Sequence, residues 1–299
     1  MSTASVLYDA PGPKAKLRYR LYTVLVLAAV LAVGWFLYHG LDEKGQFTAE
    51  KWKPFLEGQI WTTYLLPGLR GTVVAAVLSI VLALVIGMIF GILRLSEHRV
   101  VRAVAGTIVE VARAIPVLIL MIFLFAIYAQ YNVFPSEQLA LAAVVTALTI
   151  YNGSVIAEIV RSGIRSLPRG QSEAAVALGM RKGQLMRLIL LPQAVTAMLP
   201  ALISQMVVAL KDSALGYAIT YPEVVRAGKQ LGAAEQNTIP ALLVIAIIMI
   251  ALNYALSVFA TVVERWLRTR KRGGRTVVPA GNVPPPPGMN VVTANDGSA

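Results

Sequence analysis

Six stretches of this chain, at about 21–39, 69–93, 104–130, 138–160, 193–211 and 238–263, are each long and apolar enough to cross a lipid bilayer. A span needs roughly 20 apolar residues, because a helix rises about 1.5 Å per residue through a hydrocarbon core of about 30 Å. The apolar residues run on continuously, which excludes the short alternating strands of a spanning barrel. Only 14% of residues are charged, against about 25% in a soluble domain. The expected fold class is an all-α polytopic membrane protein of about six transmembrane helices. The first stretch is expected to stay in the mature chain, since Trp35, Phe36, Tyr38 and His39 stand where a cleaved leader needs small residues.

In a soluble protein the formal net charge of +12 would point to nucleic acid. Here the basic residues gather in alternate loops instead, so the expected surroundings are a lipid bilayer and no nucleic acid. Lys14, Lys16, Arg18 and Arg20 precede the first span; Arg94, Arg99 and Arg102 follow the second; the 161–192 loop holds Arg161, Arg165, Arg169, Arg181, Lys182 and Arg187. The 40–68 linker balances Lys44, Lys51 and Lys53 with Asp42, Glu43, Glu50 and Glu57. This asymmetry places both termini and the 161–192 loop in the cytoplasm.

Several function classes drop out on residue type. With no cysteine and only His39 and His98, neither a disulfide nor a metal site is expected. No HExxH, GxSxG or cysteine nucleophile supports an intramembrane enzyme, and no GxxxxGK motif supports an ATPase within the chain. An ion-coupled secondary transporter calls for an internal repeat and acids near mid-membrane; Glu110 is the one candidate, and Arg113 stands ready to neutralise it. The tail from about 273, with Pro284 to Pro287 in a row, is expected to be disordered.

The 161–192 loop is more informative. Pro168 and Gly170 break the fourth span, Gln171 or Ser172 can cap a short helix, and Glu173 falls in its first turn, where the helix dipole favours it. Ala174, Ala175 and Leu178 give that helix a small apolar face, and Gly179 can take the left-handed conformation that ends it. A second helix runs from about Lys182 until Pro192 stops it. Two short helices, one with a flat alanine face, suit a knob that docks into a partner's groove; a solvated loop resting on the membrane is the other reading of the same residues.

Glu173-Ala174-Ala175, then Gly179, Ile189 and Leu191-Pro192, resembles the EAA signature of importer permeases in the ATP-binding cassette (ABC) superfamily. Ala157-Glu158-Ile159-Val160-Arg161 leading to Gly170-Gln171 is similar to the branch for polar amino acids. So are Gly68 to Thr72 with Arg94-Leu95-Ser96, Glu110 to Pro116, and Lys211-Asp212-Ser213-Ala214-Leu215. The resemblance covers about 65–265. It implies a five-helix type I importer core, preceded by a cytoplasmic segment (1–20) and an extra helix with its external linker (21–64), and followed by a basic tail (266–299). The extra helix departs from the minimal family pattern and is expected to add packing at most. The family usually has a serine in place of Arg181, so a cap worth about 1 kcal/mol is missing; Met186, often phenylalanine, is an ordinary apolar swap.

The resemblance further implies a prokaryotic plasma membrane, an ABC ATPase dimer carrying ATP and Mg, a second permease subunit (paralogue or copy) and an external solute-binding protein. The coupling residues implied are Gln171, Glu173, Ala174, Ala175, Leu178, Gly179 and Arg181. Within the spans, Glu110 and Arg113 share a helix face at i, i+3, either as an ion pair or in contact with substrate. Pro116 is expected to kink their helix. Glu158 and Arg161 repeat the spacing as anchors of the loop, and Gly87 and Gly91 form a GxxxG packing pair. Lys211, Asp212 and Ser213 end the fifth span before a stretch too polar to cross, as part of a substrate path or as an ordinary interfacial helix end. Lys211 and Arg113 suit an acidic side chain as well as an α-carboxylate; the expected substrate is glutamate or glutamine, with the methionine, betaine and phosphonate branches as alternatives.

Overall fold

The structure, a computed structural model, describes residues 12–272; the tail expected to be disordered lies outside them. Nine longer helices organise the described residues: α1 (Pro13–Glu43), α2 (Gly58–Leu93), α3 (Arg99–Ala114), α4 (Val117–Gln130), α5 (Ser136–Arg165), α6 (Arg169–Ala177), α7 (Lys182–Ile219), α8 (Val224–Ala234) and α9 (Thr238–Arg272), with short helical turns at Ala49–Trp52 and Lys53–Leu56 between the first two. No strand occurs among the described residues. Among the described residues five helices are long and apolar enough to cross a membrane, or six if the bent α3–α4 pair counts as one span.

α5 is the central helix. Of its most apolar window 56% is buried inside the chain, against 0% for α1. Its small residues explain its place: Gly153 and Ala157 leave room for Gly87 and Gly91 of α2. A Cβ on Gly87 would lie 2.8 Å from the Gly153 carbonyl oxygen, and one on Gly91 would lie 2.6 Å from Val160 Cβ. Van der Waals packing of this kind holds apolar helices together where lipid is as apolar as the helices themselves. α4, α7 and α3 also pack on α5, while α8 packs on α9 and α2, and α9 also packs on α7.

Three expectations need correction. The 104–130 span is two helices meeting at 98°. Pro116 excludes the α conformation at the residue before it, so Ile115 is extended (φ −81°, ψ 125°) and the chain turns rather than kinks. Pro192 does not stop a helix: α7 runs on from Lys182 to Ile219. The turn before it, Leu185–Leu190, is π-wound, and the wider turn takes up the missing N–H and the ring's demand on the carbonyl four residues back. Pro67 in α2 follows a π-wound turn at Trp61–Leu65 in the same way. Lastly, α1 adds no packing, since none of its residues is buried; a helix apolar all round is one suited to lipid on every side.

Candidate functional site

The candidate site is built at the end of the bundle where α5 and α7 are joined by α6. This helix begins directly after Pro168, so neither Gln171 nor Ser172 caps it, and Glu173 lies in its second turn. Pro168 stands at the N-cap position with extended ψ (130°) and offers no side-chain acceptor to the first-turn N–H groups. Gly179 ends the helix at φ +73°; its N–H donates to the Val176 carbonyl at 2.9 Å, and Met180 N–H to the Ala175 carbonyl at 3.1 Å. That left-handed residue with its paired bonds is how helices commonly terminate.

The two faces of α6 differ. Ala175 points inward, 2% exposed, into a core with Ile164 of α5 and Leu185, Leu190 and Ala194 of α7. Glu173, Ala174, Val176 and Leu178 point outward, and Leu178 is 81% exposed. Gln171 is half-buried, with its side-chain oxygen unpaired. Arg181 offers no acceptor as a cap, but Gln184 supplies half of a capping box: its Oε1 accepts from the Arg181 N–H at 2.9 Å.

Above α6 the structure joins the two Glu–Arg pairs into one network. Glu110 lies 3.6 Å from Arg113 on α3, and Glu158 binds Arg161 on α5. Arg94, at the end of α2, forks between them: Nη1 is 2.7 Å from Glu158 Oε2 and Nη2 is 2.8 Å from Glu110 Oε1. Its side chain is only 11% exposed. Three guanidinium groups and two carboxylates thus hold three helices together where α5 turns into the loop. From sequence Arg94 stands out as loop charge and as part of the Arg94-Leu95-Ser96 resemblance, without a partner; its partners are too far off in sequence for any local spacing to reveal.

Lys211, Asp212 and Ser213 sit at the opposite end of the bundle. From Gly71 to Arg94 α2 spans ~35 Å, with the 213–224 segment at its start and the Arg94 network at its end. Glu110 and Arg113 therefore do not meet Lys211 and Asp212. Lys211 is exposed and Asp212 half-buried, whereas the Ser213 hydroxyl is spent on the Leu210 carbonyl at 2.6 Å. Beyond them Tyr217, Tyr221, Pro222, Glu223 and Arg226 suggest from sequence a short re-entrant or outer helix before the last span, and α8 follows there with Glu223 at its start. Tyr221 Oη donates to the Gly71 carbonyl at 2.8 Å, and Val224 N–H donates to Thr72 Oγ1 at 3.1 Å. Glu223, fully buried, caps α8 by accepting from Val225 N–H at 2.8 Å and Arg226 N–H at 2.6 Å. Burial pushes its carboxyl up to about 7, against the pull of those two N–H groups and of Arg226 and Lys229. Gly68 and Gly71 are the available signal, because any side chain there would run into Ala227 or the Pro222 carbonyl. Between the two ends, Gln205 of α7 donates to buried Asn152 of α5 at 2.7 Å.

A family model described as the binding-protein-dependent transport system inner membrane component matches residues 83–269. The glutamate transport system permease protein GluD of Corynebacterium glutamicum is 58% identical over 76% of this chain and 84% of its own length. The glutamate/aspartate import permease protein GltK of Escherichia coli O6:H1 is 30% identical over 68% of this chain and 92% of its own. Among solved structures, the crystal structure of an amino acid ABC transporter with histidines is similar with a TM-score of 0.61 and 28% identity, covering 67% of this chain and 92% of that one.

Proposed function

The chain belongs to the family of binding-protein-dependent transport system inner membrane components, and from that premise we propose that it imports glutamate through a helix bundle driven by a separate ATPase. It is the membrane-embedded permease subunit of an ABC importer and not itself an enzyme. The glutamate reading rests chiefly on the 58% identity to a protein named for glutamate transport. The chain's own chemistry agrees with it, since exposed Lys211 offers a positive charge to a carboxylate beside half-buried Asp212, a partner for an ammonium group.

In this reading two ATPase subunits bind ATP and Mg, and their closure pushes on the outer face of α6 at Glu173, Ala174 and Leu178. Buried Ala175 passes the push to α5 and α7 through the shared core, and the Arg94 network carries it to α2 and α3. A second permease subunit, a paralogue or a copy, completes the path, and an external solute-binding protein delivers the amino acid to the Lys211 end. Both termini and α6 then face the cytoplasm of a prokaryotic cell, in accord with the basic residues of those segments.

The test is uptake of labelled glutamate into proteoliposomes holding the purified complex, with a candidate binding protein outside and ATP with Mg inside. Uptake that requires ATP and is competed by unlabelled glutamate far better than by arginine is expected. Uptake without ATP, or a preference for arginine, would refute the reading.

A further inference from the structure

We propose that the recess between the α2–α3 turn and the start of α7 binds an anionic phospholipid, with its acyl chain on the apolar floor and its phosphate on Lys182 and Arg187. The recess holds about 500 Å³. Its apolar lining comes from the end of α2 and the turn after it (Ile92, Leu95) and from the first turns of α7 (Met186, Leu191); Lys182 and Arg187 line it too. A second recess of about 520 Å³, lined by Arg181, Gln184 and Leu188, shares Gly183 and Arg187 with the first. Arg187 thus lines both recesses, the apolar one that would take an acyl chain and a more polar one beside it with Arg181 and Gln184.

Depth supports a lipid over any soluble anion. The apolar run of α2 stops at Leu93 before Arg94, and that of α7 starts at Leu185 after Arg181 and Lys182. The recess therefore spans the level at which side chains change from apolar to basic, where lipid headgroups lie. Free phosphate would gain nothing from the apolar floor. A lipid satisfies both parts, and basic pockets between spanning helices are suited to acidic headgroups.

Charge supports an acidic headgroup over a neutral one. Arg187 is exposed and has no ion pair among the described residues, while Lys182 is tied only to Glu97, 3.3 Å away and 73% exposed. Glu97 comes from the α2–α3 turn and Lys182 from α7, so the pair closes over the recess and competes with a phosphate for the lysine. A lipid seated here would bridge the α2–α3 turn to the root of the coupling loop.

The proposal is tested by native mass spectrometry of the purified full-length chain titrated with dioleoyl phosphatidylglycerol and, separately, dioleoyl phosphatidylcholine. One phosphatidylglycerol is expected to bind with clear preference over phosphatidylcholine. Arg187→Ala should weaken that one site roughly fivefold, and Glu97→Gln, which frees Lys182, should tighten it. The gain in Glu97→Gln cannot be imitated by a misfolded variant. Equal binding of the two lipids, or no change in either variant, would overturn the proposal. So would loss of the ATPase from the Arg187→Ala complex with phosphatidylglycerol binding unchanged, which would make the recess a protein docking surface. This inference does not rest on the identity of the transported amino acid, and an importer of another solute would leave it standing.

Discussion

Arg94 donates to Glu158 at 2.7 Å across 64 residues of sequence, and that bond joins the end of α2 to α5 just before the 161–192 loop. The same guanidinium also holds Glu110 of α3. In the proposed coupling, a push on α6 would reach α2, α3 and α5 through one side chain that is nearly sealed from solvent.

Removing that side chain should be costly. Arg94→Ala leaves Glu158 with Arg161 and the largely exposed Glu110 with Arg113, so the expected loss is about 1–3 kcal/mol, that of the charged hydrogen bonds removed. Thermal unfolding in detergent reads it as a fall in Tm. Adding Glu158→Gln to that variant should cost much less than Glu158→Gln alone. Strict additivity would mean that the two residues do not interact.

Glycine positions give a sharper contrast. Gly71→Ala forces a methyl group into the Pro222 carbonyl, whereas Gly34 has nothing within 4 Å of a built Cβ. Gly71→Ala should lower the yield of folded protein and the Tm. Gly34→Ala should leave both unchanged or slightly raised, because alanine is the better helix former. Equal tolerance at both sites would contradict the close approach of α2 and the Pro222 turn.

Glu223 supplies a pH signature from the segment between the last two spans. Its carboxyl keeps its proton up to about 7, against an ordinary 4.5. Between those values the folded chain binds a proton that the unfolded chain has released, so stability falls as pH rises through that window. At lower pH both states are protonated, and above it the cost is complete. Glu223→Gln should flatten this part of the Tm–pH curve, and a wild-type curve rising from pH 4.5 to 7 would rule the mechanism out.

At the Lys211 end, Asp212→Ala should alter glutamate transport while leaving assembly with the other subunits intact. The readout is the KM for uptake alongside the composition of the purified complex. Unchanged kinetics would return Asp212 to an ordinary helix end.

Much of this architecture is written in local sequence. The apolar runs report the spans because lipid demands them, and Gly179 announces its left-handed turn because few other residues accept it. The break at Pro116 was legible as a bend, but not its 98° size, which depends on how α3 and α4 pack against α5. Pro192 misleads as a stop signal because a π-wound turn can absorb a proline, and no single residue marks such a turn. The Arg94 network was out of reach for a different reason. Its partners come from distant segments, brought together by close approaches such as that of Gly91 to Val160. The Glu223 cap has local partners, Val225 and Arg226, but its burial depends on the equally distant approach of Gly71 to Pro222.

The central claim is that α6 couples this permease to a separate ATPase, and it is tested most directly by affinity purification of the full chain from its native membrane, as wild type and as Glu173→Arg. Glu173 is exposed on α6, so its reversal should leave insertion and folding intact. The account predicts that a P-loop ATPase accompanies the wild-type chain and is lost or uncoupled from transport in the variant. An ATPase retained in equal amount with transport undiminished, or a wild-type chain that comes out alone and transports without ATP, would contradict it.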